Sequence, residues 1–424
     1  MIPMILTLAG FLVASAQATD LDQWLNIEKN HARSYMLQNI SPRGAAIGAV
    51  VAATSTERPN YGYHWIRDAA ITMNTVLSLP VFDGQENLMW DYVYFSRRNQ
   101  LTDNPSGKFN AGGLGEPKFN LDGSAYMESW GRPQNDGPAL RAITLTRFAM
   151  QLLQQHRDLE VKKYLFEPKL PASTVIKADL EYVSHHWMES SFDAWEEVNG
   201  HHFFHLMVTR RALLDGAVLA DLLKDPQASI WYREQAKAIE SAIPRFWNAS
   251  KGYIVSTVSR KTNDAYAKES GLDTTVILGI LYGHRGDGYM ELKNEKVLAT
   301  AKVLVNTFKN LYSINEDSDS NLAPALGRYP EDTYDGYRTD GEGNPWFLIT
   351  AAFADYAYRI GNLKMGDAFL NRVKKHTAAS GALSEQINRK NGYMQGAENL
   401  TWSYAAFLDA VRSRALLLKT RVRR

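Results

Sequence analysis

Five segments of this 424-residue chain place aromatic rings and ionisable side chains close together. They are Tyr61-Gly-Tyr-His-Trp-Ile-Arg-Asp68; Gly115-Glu-Pro-Lys-Phe-Asn120 with Trp130-Gly-Arg-Pro-Gln-Asn-Asp136; Asp193-Ala-Trp-Glu-Glu-Val-Asn-Gly200; Gly327-Arg-Tyr-Pro-Glu-Asp332 with Gly343-Asn-Pro-Trp346; and Ser384-Glu-Gln386 with Leu400-Thr-Trp-Ser403. Such groupings suit a polyhydroxylated ring, whose C–H face stacks on an indole or phenol while Arg and Asp make directional bonds to its hydroxyls. Each segment also has a structural reading. Arg67-Asp68 could be an ion pair of the scaffold, Glu196-Glu197 an acidic first helical turn favoured by the helix dipole, and Trp402 part of a core stripe. What favours a pocket is recurrence, because unrelated structural roles would not select Trp, Arg and carboxylate five times.

The elements that must position these groups read as predominantly α-helical. Residues 209–223 place Leu213, Ala217 and Ala220 on one stripe; 345–358 align Phe347, Ala351, Ala354 and Tyr358; 400–418 align Tyr404, Leu408, Val411 and Ala415. Residues 29–36, 139–155, 179–188 and 232–243 also have a helical period, whereas the best strand signal, 252–258, is short. Between the helices lie long segments at 102–138, 314–345 and 380–399. Loops of that length inside a compact domain are usually functional, and each chemical segment lies at or beside a helix end.

Composition narrows the class. Lys plus Arg number 47 against 46 Asp plus Glu, so the chain lacks the basic excess of a nucleic-acid binder, and the six basic residues after position 411 read as a solvated helix end. Cysteine is absent, which excludes disulfides and thiolate metal sites. His201 and His205, four apart, could share a helical face, but no carboxylate or Cys partner stands at ligand spacing, so neither a metal nor a cofactor is expected. Residues 1–18 are uncharged, apolar from Ile5 to Val13, and end Ala16-Gln17-Ala18, the pattern of a cleavable export signal rather than a membrane span. The expectation is a secreted or periplasmic monomer with one catalytic domain over residues 19–424.

Taken in order, Trp-x-Arg-Asp, Gly-Glu-Pro-Lys-Phe-Asn, Ser-Trp-Gly-Arg-Pro-Gln-x-Asp-Gly-Pro-Ala-Leu-Arg, Trp-Glu-Glu-Val-Asn-Gly, Gly-Arg-Tyr-Pro-Glu-Asp, Ser-Glu-Gln and Leu-Thr-Trp-Ser-Tyr-Ala-Ala resemble the glucoamylases, from about Thr54 to Ala406. The resemblance implies an all-α (α/α)6 barrel with its active site among the loops at one end. It implies inverting removal of glucose from the non-reducing ends of α-1,4-linked glucans, with slower α-1,6 cleavage. Glu196 would be the general acid and Glu385 the general base, with Tyr61 beside that base. Arg67 and Asp68 would hold the terminal glucose, and Arg328 would address its 2- and 3-hydroxyl side. Trp65, Lys118, Asn120, Tyr126, Trp130, Arg132, Asp193, Trp195, Glu197, Trp346 and Trp402 would line the pocket and bind substrate.

An inverting pair works with one carboxyl protonated and the other ionised. Glu197, Asp193 and an apolar wall such as Trp195 are expected to raise the pKa of Glu196, and hydrogen-bond donors to keep Glu385 ionised. Three departures touch this neighbourhood: Ile387-Asn388 after Ser-Glu-Gln, His201 to His205 after Asn199-Gly200, and a Gly-rich loop from Tyr334 to Glu342 expected to extend the pocket rim. No starch-binding module or N-terminal β-domain is read in the chain. Two other readings stay open at this point: an exo-glucosidase of the same fold acting on isomalto-oligosaccharides, dextran or trehalose, and a glucan-binding protein without catalysis.

Overall fold

The computed structural model describes residues 19–261 and 268–422; the expected export signal at 1–18 lies outside them. The described helices are α1 Asp20–Gln38, α2 Ile66–Val76, α3 Gln85–Leu101, α4 Asp136–Gln154, the single turn α5 Asp158–Glu160, α6 Val175–His186, α7 Phe203–Leu223, α8 Pro226–Ala242, α9 Thr275–Gly283, α10 Glu295–Leu311, α11 Phe347–Arg359, α12 Leu363–His376 and α13 Thr401–Val422.

Burial sorts them into two rings. Helices α2, α4, α7, α9 and α11, with the first half of α13, are buried on nearly every side. They pack in succession, α2 on α4, α4 on α7, α7 on α9, α9 on α11, α11 on α13, and α13 back on α2, which closes a circle. The alternate helices α1, α3, α8, α10 and α12 bury one stripe and leave the other wet; α6, though more deeply buried, occupies the same outer tier. Amphipathic helices can only cover, whereas helices apolar all round must lie inside. This is the expected (α/α)6 barrel.

Several elements differ from the sequence expectation. The helix expected at 209–223 starts six residues earlier, at Phe203, and α1 starts at Asp20 behind a Thr19–Asp22 capping box rather than at 29. The strand expected over 252–258 is two short pieces, Tyr253–Ile254 and Thr257–Val258. No helix among the described residues is long and apolar enough to cross a membrane.

All six inner helices run in the same sense, each entered from a loop at one mouth of the barrel. Their N-terminal ends carry Arg67 and Asp68, Asp136, Phe203, Thr275, Leu348 and Trp402. Converging helix N-termini favour negative charge nearby, which suits a mouth rich in carboxylates.

Candidate active site

Short antiparallel pairings bring the site residues to this mouth. Trp65 caps α2 and pairs with Lys118, so the first two chemical segments meet edge to edge. Ser191–Phe192 pairs with Asn199–His202 and pinches residues 193–198 into a hairpin loop. Within it Asp193 Oδ1 accepts the backbone N–H of Glu197 and Val198, at 2.8 and 3.0 Å. Glu196 sits at the tip with φ of 68°, a left-handed conformation costly to a residue with a Cβ. That local reversal sends two adjacent glutamates to different places.

Glu196 turns into the pocket. Its Oε1 accepts the indole N–H of Trp65 at 2.7 Å and the amide of Gln134 at 3.0 Å, with Arg67 at 3.6 Å. Glu197 points the other way, 2.8 Å from Arg328 and 3.1 Å from Lys268, and accepts the Tyr329 hydroxyl at 2.7 Å. Neither is in a first helical turn. The neighbours expected to act on Glu196 therefore change. Asp193 and Glu197 are both compensated by cations, while Asp68 and Asp136 are the carboxylates in electrostatic reach of Glu196.

Lys268 binds this side together. Its ammonium lies 2.6 Å from Asp193, 3.1 Å from Glu197 and 3.5 Å from Asp273. Burial alone would push the Asp193 carboxyl up, yet Lys268 and the backbone donors hold it at about 2. Asp273 in turn accepts the Trp195 indole at 3.0 Å, and Arg328 is clamped by Asp332 at 2.6 Å. Lys268 and Asp273 stand outside the five aromatic-rich segments, and nothing in the local sequence of Lys268 announces it.

Glu385 is fully buried. Its backbone is tied to Ala397 and Phe347, and Gln386 bridges to Trp346, so the segment is fixed against the start of α11. Oε1 accepts the Tyr61 hydroxyl at 2.8 Å; Oε2 faces Tyr334 at 3.4 Å and the Ala397 N–H at 3.3 Å. Burial pushes the carboxyl up to about 7, with those donors and Arg328 opposing. The expected donors are present, and desolvation outweighs them. Gly396 packs so closely on Oε2 that a Cβ there would lie 2.2 Å away. Tyr334, which also contacts the Tyr61 hydroxyl at 3.1 Å, is a site residue beyond those the motifs named; the aromatic inside the Gly-rich loop was its only signal.

Tyr61 and Trp65 stand side by side, ring centres 5.5 Å apart, one holding Glu385 and the other Glu196. The two carboxylates thus flank one aromatic pair. Beside them opens a pocket walled by Tyr61, Trp65, Arg67, Asp68, Trp195 and Glu196 and continued by Arg328, Trp346 and Trp402. Trp402 is both core and pocket wall: it is buried, stacks on Trp195 at 6.3 Å and donates to the Tyr282 hydroxyl at 3.0 Å. Trp346 exposes an unusual resource, a buried indole N–H without a partner. Arg67 bonds Gln134 and Asp136 and lies 3.5 Å from Asp68, whose carboxyl burial raises to about 6.

Next to this pocket, Lys118 sits in a cage of rings, its ammonium 3.1 Å from the centre of Trp130, 3.9 Å from Tyr126, 4.5 Å from Trp65 and 4.7 Å from Tyr63. Burial lowers its pKa to about 8. Asn120 and Arg132 are elsewhere. Asn120 bonds Ser124 and Ala125 of its own turn, and Arg132 spans Glu116 and the carbonyls of Tyr126 and Glu128. Both shape the loop that carries Tyr126 and Trp130 instead of facing the pocket. The histidines also separate: His201 lies in the Asn199–His202 strand and His205 in α7, so they share no helical face.

Comparison with known proteins fits this geometry. The family model described as Glycosyl hydrolases family 15 matches residues 30–362 and 362–412. A glucoamylase of Blastobotrys adeninivorans is 33% identical, covering 93% of this chain and 72% of its own length. A protein of Schizosaccharomyces pombe named probable glucoamylase is 33% identical, covering 94% and 93%. The glucoamylase structure from Saccharomycopsis fibuligera superposes with a TM-score of 0.85 at 32% identity, over 95% of this chain and 96% of that one. A barrel of six inner and six outer helices, with a carboxylate-flanked aromatic pocket at the N-terminal mouth of its inner ring, places this chain in glycosyl hydrolase family 15, the glucoamylase family.

Proposed function

We propose that the chain removes single glucose units from the non-reducing ends of starch, glycogen and malto-oligosaccharides, cutting α-1,4 bonds and more slowly α-1,6 bonds with inversion. The observation that carries this reading is the pair Glu196 and Glu385, held by Trp65 and Tyr61 beside an aromatic-lined pocket. Trp402 and Leu348, at the N-terminal ends of two inner helices, are among the residues that line it.

Glu196 acts as the general acid. Both of its hydrogen bonds among the described residues go to Oε1, leaving Oε2 to carry the proton toward the glycosidic oxygen. As the C1–oxygen bond breaks, that proton passes to the leaving glucan. Glu385 acts as the general base, taking a proton from the water that attacks C1 on the opposite face, so an α-linkage yields β-D-glucose. Arg67, Asp68 and Arg328 are charged groups placed to grip the hydroxyls of the terminal ring, and the free indole N–H of Trp346 is a further donor. Lys118, in its aromatic cage against Trp65 and Trp130, is placed to meet the next sugar along the chain.

Chromatography of products from maltotriose, isomaltotriose and trehalose tests the substrate assignment. Glucose and maltose from maltotriose, at a rate above that on the other two, is the expected result; inactivity on maltotriose would overturn it. Residues 1–18 are read as an export signal, and N-terminal sequencing of the mature protein should begin at Thr19, the cap of α1. Retention of Met1 on the exported chain would contradict that reading.

A further inference from the structure

The inner helices enclose a second cavity, toward the opposite end of the barrel axis from Glu196. It has a volume of about 230 Å³ and draws its lining from all six inner helices. Tyr282 is the partition between the two cavities. It lines this one, and its hydroxyl accepts the indole N–H of Trp402 at 3.0 Å, while Trp402 lines the pocket around Glu196.

The unspent polar groups define what the cavity can hold. Asp355 is 6% exposed, and its Oδ1 makes no hydrogen bond, although Ser413 stands beside the carboxyl. Asp409 is 8% exposed; Oδ2 accepts the Thr75 hydroxyl, while Oδ1 lies 3.2 Å from Arg412 without hydrogen-bond geometry. The Nε–H of Arg412 is also unpartnered. Buried acceptors and a buried donor left open in one cavity are costly unless something fills them.

Charge decides among the possible fillings. Four arginines line the cavity, but three are committed to carbonyls at the ends of inner helices: Arg147 to Asn74 and Leu77, Arg211 to Tyr282, and Arg359 to Leu281. An anion would therefore meet two carboxylates and little free donor capacity, and a metal cation would meet guanidinium groups. A neutral polyol suits both, since each hydroxyl donates to a carboxylate and accepts from an N–H. The lining repeats a device of the other mouth. There Arg67 lies beside Asp68 at 3.5 Å; here Arg359 lies beside Asp355 at 3.6 Å and Arg412 beside Asp409 at 3.2 Å. The side chains of Arg211, Arg359 and Arg412 reach solvent, so the cavity has a polar entrance of its own.

We infer that this far-end cavity is a second binding site for a neutral polyol of monosaccharide size, built on the Asp355–Arg359 and Asp409–Arg412 pairs and separated from the catalytic pocket by Tyr282. The inference stands apart from the reaction at the other mouth. A crystal of the full chain soaked with D-glucose should show an ordered sugar against both Asp–Arg pairs. Ordered water alone in that cavity overturns the proposal. Sugar in the far cavity with none at Glu196 would count against the hydrolase reading and leave this one standing. In solution, titration calorimetry should resolve two glucose sites in the unsubstituted protein. The double variant Asp355→Asn/Asp409→Asn should lose at least ~10-fold in affinity at one of them, as expected for hydrogen bonds to charged groups. Inhibition of maltotriose hydrolysis by glucose reports on the catalytic pocket and should not change. Equal affinities at both sites in variant and parent would show that the carboxylates hold no ligand, and would overturn the proposal as well.

Discussion

Replacing Tyr61 with Phe removes one hydroxyl and keeps the ring that packs beside Trp65. That hydroxyl donates to Glu385 Oε1 at 2.8 Å, a bond available in full strength only to the ionised carboxylate. Hydrogen bonds to charged groups contribute about 1.5–3 kcal/mol, and one pKa unit corresponds to about 1.4 kcal/mol. Loss of this donor should raise the Glu385 pKa by about 1–2 units from its value near 7, with the lower figure favoured because Tyr334 and the Ala397 N–H remain. The sign follows from the role of the group. A general base works only when ionised, so on the acid side of the profile kcat/KM is proportional to the ionised fraction of Glu385. There Tyr61→Phe should lose about 10-fold or more, in step with the pKa shift. On the alkaline side, where Glu385 is ionised in both proteins, the two profiles should converge. The assay is kcat/KM on maltotriose across the full pH range. A deficit of the same size at every pH would exclude this role, because the hydroxyl would then act on the substrate or transition state and not on the ionisation of Glu385.

Other substitutions probe the remaining parts of the site. Glu196→Gln should lower kcat by at least ~10²-fold with little change in stability, as measured by steady-state kinetics and thermal melting; near-normal turnover would move the acid role elsewhere. Lys268→Met leaves Asp193, Glu197 and Asp273 buried without their shared cation. It should cost about 3–5 kcal/mol in urea unfolding, and a loss below 1 kcal/mol would show that Arg328 alone suffices for this cluster.

How much of this was legible in the sequence depends on what each residue faces. The amphipathic α8 announces itself, since one face meets water, and α7, α11 and α13, though inner, are long enough for a helical period to show. The short inner α9 does not. Thr275–Gly283 is apolar all round and rich in β-branched residues, so its nine residues carry no sided pattern and resemble a strand. At the site, motif order marked Glu196, Glu385 and most of the pocket. The difference between Glu196 and Glu197 is not a property of either side chain; it comes from the left-handed turn at Glu196 and from Lys268, 72 positions after it (268 − 196). Asn120 and Arg132 show the reverse case. Their motif neighbours Lys118 and Trp130 meet beside Trp65, while their own hydrogen bonds return to the loop that presents Tyr126 and Trp130. Motifs record which segments meet; the direction of each side chain is settled by backbone geometry and partners far along the chain.

With Glu196 and Glu385 serving as acid and base on opposite faces of the scissile bond, hydrolysis inverts the anomeric centre. Proton NMR of the first glucose released from maltotriose, recorded before mutarotation, reads that outcome. The β-anomer appearing first is the predicted result. The α-anomer appearing first would mean retention, and would contradict the assignment of Glu385 as a base acting through water.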